Sequence, residues 1–96
     1  MTRRLSYAPY AQAKVEDYEY YSIGSKVNSR IVLVSYATVA AVIDNGVLSI
    51  RCMCSRTTCN HVRLFLKEYC PEVSYELAKE LYYKGLSLDL TTGEIL

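Results

Sequence analysis

The stretch Cys52-Met53-Cys54-Ser55-Arg56-Thr57-Thr58-Cys59-Asn60-His61 gathers three of the four cysteines of the 96-residue chain and its single histidine. Thiolate sulfur and imidazole nitrogen are the ligands a structural zinc ion prefers, and Cys3His is one of its closed tetrahedral sets. Residues two apart on a strand point to the same face, so Cys52 and Cys54 can offer both sulfurs to one ion. A helix starting near Cys59 would favour the thiolate form there through its backbone dipole. The residues therefore predict one zinc ion per chain, held by Cys52, Cys54, Cys59 and His61, with two ligands from a strand end and two from a helix start. Ordinary buried thiols beside an unrelated histidine are the alternative this spacing leaves open. A Cys52–Cys54 disulfide would be strained. Cys70, several residues farther on, reads as a free buried cysteine rather than a ligand.

A closed site of four protein ligands keeps no position for water or substrate. The sequence offers no glycine-rich phosphate loop and no evident nucleophile with its base, so a non-enzymatic role is expected, with zinc structural. Arg51, Arg56, Arg63 and Lys67 surround the ligands, and no acidic residue falls between Val47 and Lys67. Such a basic face suits phosphates, and the expected partner is DNA. The alternative is an adaptor that binds a protein partner or a second copy of itself through tyrosines such as Tyr18, Tyr20 and Tyr21, or Tyr82 and Tyr83.

The elements that must position these residues follow from composition and periodicity. The chain reads as one α+β domain over residues 1–96: a small antiparallel sheet with flanking helices and a zinc-stapled ββα core. About half the residues are apolar, which excludes global disorder, and the formal net charge of +1 says nothing of partners by itself. No apolar h-region follows Met1, so an intracellular protein with reduced thiols is expected. The run Ile31 to Ile43 is too short for a membrane span and is interrupted by Ser35, Tyr36 and Thr38. Residues 1 to 7 read as a loose basic arm carrying Arg3 and Arg4. Ala11, Val15 and Tyr18 recur at helical spacing after Pro9, predicting an amphipathic helix from about Pro9 to Tyr20, and Gly24 fits as the stop of the segment that follows. Val27 to Ile43 predicts one long strand, or two separated by a bend near Ala37. Asn45-Gly46 then signals a type I′ hairpin that pairs Ile43 with Leu48, Ala41 with Ile50, Val39 with Cys52 and Ala37 with Cys54. Thr58 or Asn60 is a candidate cap for a helix running to about Tyr69, before Pro71. Ser74 caps a second helix stopped by Gly85, with Glu80 and Lys84 an i,i+4 pair. Leu86, Leu88 and Leu90 alternate with polar residues and predict one or two short strands, with a turn at Thr92-Gly93.

A hairpin ending in Cys-x-Cys, a gap, and Cys-x-His opening a helix resembles the SWIM-type zinc finger. The resemblance covers about residues 27–69 and implies Cys52, Cys54, Cys59 and His61 as the four ligands, Val39 to Arg51 as the preceding hairpin and Val62 to Leu66 as the following helix. It also implies DNA binding or protein–protein interaction as the function. The four-residue gap between the ligand pairs is shorter than in many members. Three cysteines and a histidine also bind the [2Fe–2S] cluster of the CDGSH family. There the histidine lies farther beyond the third cysteine in a Pro-x-Cys-Asp-Gly context, which Cys59-Asn60-His61 lacks, and zinc is the expected metal.

Overall fold

The computed structural model describes residues 2–4, 13–21, 27–53 and 55–96. Six strands, β1 (Thr2–Arg4), β2 (Ala13–Tyr21), β3 (Val27–Ser35), β4 (Thr38–Asp44), β5 (Val47–Ile50) and β6 (Ser87–Asp89), form one antiparallel sheet in chain order. Two helices, α1 (Arg56–Tyr69) and α2 (Tyr75–Lys84), lie between β5 and β6 in the chain. The fold is α+β, with α1 against β3 and β4 and α2 against β5. Phe65, Val62 and Leu66 of α1 and Ala78 and Leu81 of α2 bury themselves against Leu33, Ala41, Ile43, Leu48 and Ile50. Burying a side chain of that size stabilises by about 1.5–3 kcal/mol. Val32, Val34 and Val42 form a smaller buried cluster of their own, as strand alternation requires of residues one step out of phase with Leu33, Ala41 and Ile43.

The N-terminal segment departs from expectation. Ala13–Tyr21 is a strand rather than part of a helix, paired with β3 from Ala13↔Ser35 to Tyr21↔Val27. Ala13 and Val15 are buried while Lys14 is exposed, so the period here is 2 and not 3.6. The Ala11–Val15 spacing of four fits both patterns, whereas Val15–Tyr18 fits the helix alone, and a partner as long as β3 tips the choice towards the sheet. Thr2–Arg4 pairs with β2 as an edge strand rather than forming a loose arm. Pro9 and Gly24 lie outside the described residues.

The hairpin forms as expected at its turn and departs from expectation at its far end. Asn45 and Gly46 have φ of 51° and 80°, the double positive φ of a type I′ turn. Ile43 pairs with Leu48 and Ala41 with Ile50. Beyond that point the predicted Val39–Cys52 pair is absent. Leu33 faces Ala41 while Val34 faces Val39, so Ala40 is an extra, bulged residue. The backbone N–H groups of Arg51 and Cys52 both donate to the Ala40 carbonyl, at 2.7 and 3.2 Å. A bulge inverts the faces that follow it. Ala40 and Met53 therefore join the main core, and Val39 is 42% exposed. The Ala37–Cys54 pair ends on Cys54, which lies outside the described residues.

Both helices carry their caps in sequence. Ser74 accepts from the Leu77 N–H at 3.1 Å, Gly85 closes α2 in the left-handed conformation at φ 66°, and the Lys84 Nζ lies 2.6 Å from Glu80 Oε1. α1 starts earlier than Thr58 or Asn60 would have it. Ser55 is the cap, accepting from the Thr58 N–H at 3.1 Å, and the helix ends at Tyr69, before Pro71, as expected. At the C-terminus, Asp89 Oδ1 accepts from the N–H groups of Thr91 and Thr92, turning the chain so that Ile95 bridges back to Leu88.

Candidate functional site

Because α1 begins at Arg56, Cys59 and His61 both sit inside it. At about 100° per residue, side chains two apart on a helix diverge by about 200°. The Cys59 thiol donates to the Met53 carbonyl at 3.3 Å and is hydrogen-bonded to Tyr75, the first cause holding that phenol above its usual range, with burial second. His61 points the other way, its Nδ1 2.8 Å from Ser35 Oγ. Among the described residues, no three Cys, His, Asp or Glu side chains converge as a metal site would require. Cys54 lies outside that set, and Cys52 is partly buried against the core. As arranged, Cys59 and His61 turn to different partners, the Met53 carbonyl and Ser35, and Cys54 of the expected ligand set lies outside the described residues.

What His61 does instead is visible from the buried polar residues. Among the described residues they are Ser35, Thr58 and His61, at 1%, 5% and 4% exposure. All three belong to one network: Ser35 Oγ lies 2.8 Å from His61 Nδ1 and 3.2 Å from Thr58 Oγ1, and Ser55 Oγ donates to Thr58 Oγ1 at 3.0 Å. Two proton orders satisfy these bonds, and both are open to a neutral ring: with Ser55 donating to Thr58, either Thr58 donates to Ser35 and Ser35 to a bare His61 Nδ1, or the His61 Nδ1–H donates to Ser35 and Ser35 to Thr58. Burial lowers the His61 pKa from its ordinary 6.5, in keeping with the neutral ring. The contact is a Ser–His hydrogen bond with Ser35 buried, and among the described residues no carboxylate is bonded to the imidazole. The network pins the end of β3 to the first turns of α1.

Sequence reasoning missed Ser35 and Ser55, and it read Thr58 as a candidate helix cap and not as part of a buried network. Two signals were present: Ser35 is a polar residue within an apolar run, and buried hydroxyls find partners; Ser55-x-x-Thr58 ahead of Val62 and Leu64 reads as a cap.

The basic residues are placed more favourably. Arg51, Arg56, Arg63 and Lys67 are all exposed. On α1 the last three fall at i, i+7 and i+11, within about 40° of one another on a helical wheel and opposite the buried Phe65, with exposed Asn60 between them. The stripe runs for about 16 Å, and the first turn of α1 holds no acidic residue. The Arg63 guanidinium lies 5.2 Å from the Tyr75 ring centre and the Lys79 ammonium 5.8 Å from it, so an aromatic ring of α2 is flanked by two cations.

Beside the network stands the β3–β4 turn. Ser35 pairs with Thr38 across Tyr36 and Ala37, which places the bend where the sequence predicts it. Tyr36 has φ 57° and is 57% exposed; its ring lies 6.0 Å from that of His61. A left-handed conformation costs a non-glycine residue about 1–2 kcal/mol. At the opposite end of the helical layer, an open cleft of about 320 Å³ is lined by Tyr69, Cys70, Val73, Leu77, Leu88 and Leu90 among others. Cys70 is buried, as expected, and burial, with the Glu72 charge behind it, pushes its thiol up to about 12. It is therefore neither a thiolate nucleophile nor a ready ligand at neutral pH.

No curated protein and no solved structure matches the chain. The SWIM resemblance rests on the Cys-x-Cys and Cys-x-His motif with the hairpin before it and the helix after it. A family model does match, over residues 7–84 of the 96, a span that takes in the Ser35–His61 network, both helices and the basic stripe: the chain belongs to a family of unknown function, DUF8033.

Proposed function

We propose that the chain is a non-catalytic nucleic-acid-binding module, DNA being the expected partner, that contacts phosphates through the exposed face of α1. The observation that carries this reading is the stripe of Arg56, Arg63 and Lys67 opposite the buried face of a helix whose first turn lacks acidic residues. Arg51 adds a further exposed cation at the end of β5. Phosphate contacts of this kind supply sequence-independent affinity that falls with salt. Zinc is not a premise of this reading, because α1 is positioned by the Ser55–Thr58–Ser35–His61 bonds and by its apolar face.

The test is a gel shift at two salt concentrations with Arg56→Glu/Arg63→Glu. Position 56 opens the helix, where a carboxylate is tolerated, so the fold should survive. Loss of a salt-sensitive shift supports the reading, and an intact shift refutes it. A second reading, a protein-binding adaptor, is favoured by Tyr83, which stands 73% exposed on α2 with its ring 5.2 Å from that of Tyr82. Under that reading the double variant keeps its protein partner and Tyr83→Ala loses it.

A further inference from the structure

The end of the sheet at the β3–β4 turn gathers features that the phosphate-binding stripe does not use. Tyr36 is held in a left-handed backbone conformation usually filled by glycine, and its side chain stands in solvent instead of joining the core. Strain kept at an exposed position marks a side chain placed for something other than packing. Val39, also exposed, lies on the next strand. The Ser35–Thr58 contact brings this turn to the first turn of α1, where Arg56 sits, and the bonds of Arg51 and Cys52 to Ala40 bring the end of β5, with Arg51, to the same end. The segments that meet here, 31–43 and 51–63, contain no Asp or Glu.

We propose that this end is a binding surface for single-stranded nucleic acid, in which a base stacks on the ring of Tyr36 while the backbone follows Arg51 and Arg56 onto the α1 stripe. The proposal rests on the nucleic-acid reading above and adds its substrate class. An exposed aromatic ring beside a run of cations without carboxylates is how unpaired strands are held: the ring takes the face of any base, and the cations take the phosphates. A duplex keeps its base faces stacked on one another and offers the ring nothing comparable.

Tyr36→Gly separates binding from folding, because it removes the ring and supplies the residue that the backbone conformation favours. The intact chain is titrated by fluorescence anisotropy against labelled oligothymidylate of about 12 nucleotides, within the span a small fold covers, and against a duplex of the same length. The single strand should bind about tenfold more tightly than the duplex. Tyr36→Gly should weaken single-strand binding about tenfold with its melting temperature held, and Tyr36→Phe should stay within about twofold of wild type, as stacking without the hydroxyl requires. Equal binding by Tyr36→Gly, or a preference for duplex, overturns the proposal while leaving the basic stripe standing. Binding of neither oligonucleotide overturns the nucleic-acid reading itself. Self-association abolished by Tyr36→Gly, with oligonucleotide binding intact, assigns the surface to a second copy of the chain and also overturns the proposal.

Discussion

Strand β4 is bounded by two short hairpin turns, and they are built in opposite ways. At Asn45-Gly46 both residues have positive φ, and both are types that tolerate it. Asn45 also ties the turn to β3: its N–H donates to the Ser29 carbonyl at 2.9 Å and its Oδ1 accepts from the Ser29 N–H at 3.0 Å. At Tyr36-Ala37 an aromatic residue occupies the positive-φ position, with its side chain largely in solvent. The first turn uses residues that minimise strain and bonds that fix register. The second carries strain, and what holds it is the network behind it, where Ser35 reaches Thr58 and His61. One end of β4 is optimised for folding; the other presents side chains.

That contrast breaks most visibly if the network is cut. Ser35→Ala leaves the His61 and Thr58 groups without their buried partner, and unfolding in urea should show a loss of about 1–3 kcal/mol. EDTA added to the wild-type chain should leave the same curve unmoved, as expected where hydrogen bonds and apolar packing suffice to join sheet to helix. A chelator effect as large as that of Ser35→Ala would restore the zinc reading of Cys52, Cys54, Cys59 and His61.

A smaller effect should follow from pH. The His61 pKa is lowered in the folded chain, so the unfolded chain binds the proton first as the medium turns acid. The stability in question is complete above about pH 6.5 and is lost as pH falls through the folded-state pKa. The chain has one histidine, so a single imidazole NMR titration reports it directly. A midpoint at or above 6.5 would show that the ring is not held neutral by burial.

The relaxed end of the molecule was legible in the sequence and the strained end was not, for physical reasons. Asn45-Gly46, Ser74 and Gly85 act through their own backbone and near neighbours, so their types announce their roles. The Ser35–His61 bond joins residues 26 apart in the chain, and nothing local to either residue encodes it. The cluster of three cysteines and a histidine reads as a metal site, and Ser55 and Thr58 within it also mark a helix start that turns Cys59 and His61 to different partners. Along the sequence that leads into β2, the spacing of Ala11, Val15 and Tyr18 predicts a helix while the alternation of Ala13, Lys14 and Val15 fits a strand, and pairing with β3 decides between them. The basic residues of α1 were found by charge alone, whereas their alignment on one exposed face needed the helix to be placed.

The central claim is that strain at Tyr36 serves a surface and not the fold, and thermal melting of two variants on the two turns tests it most directly. Gly46→Ala puts a Cβ on a residue at φ 80°, 3.4 Å from Thr91 Oγ1, and should lower the melting temperature by about 5–10 °C. Tyr36→Gly relieves the left-handed strain at the cost of a more flexible unfolded chain, so its melting temperature should stay within about 4 °C of wild type or rise. A fall for Tyr36→Gly as large as that for Gly46→Ala would contradict the account, because it would mean that the exposed ring is part of what holds the fold together.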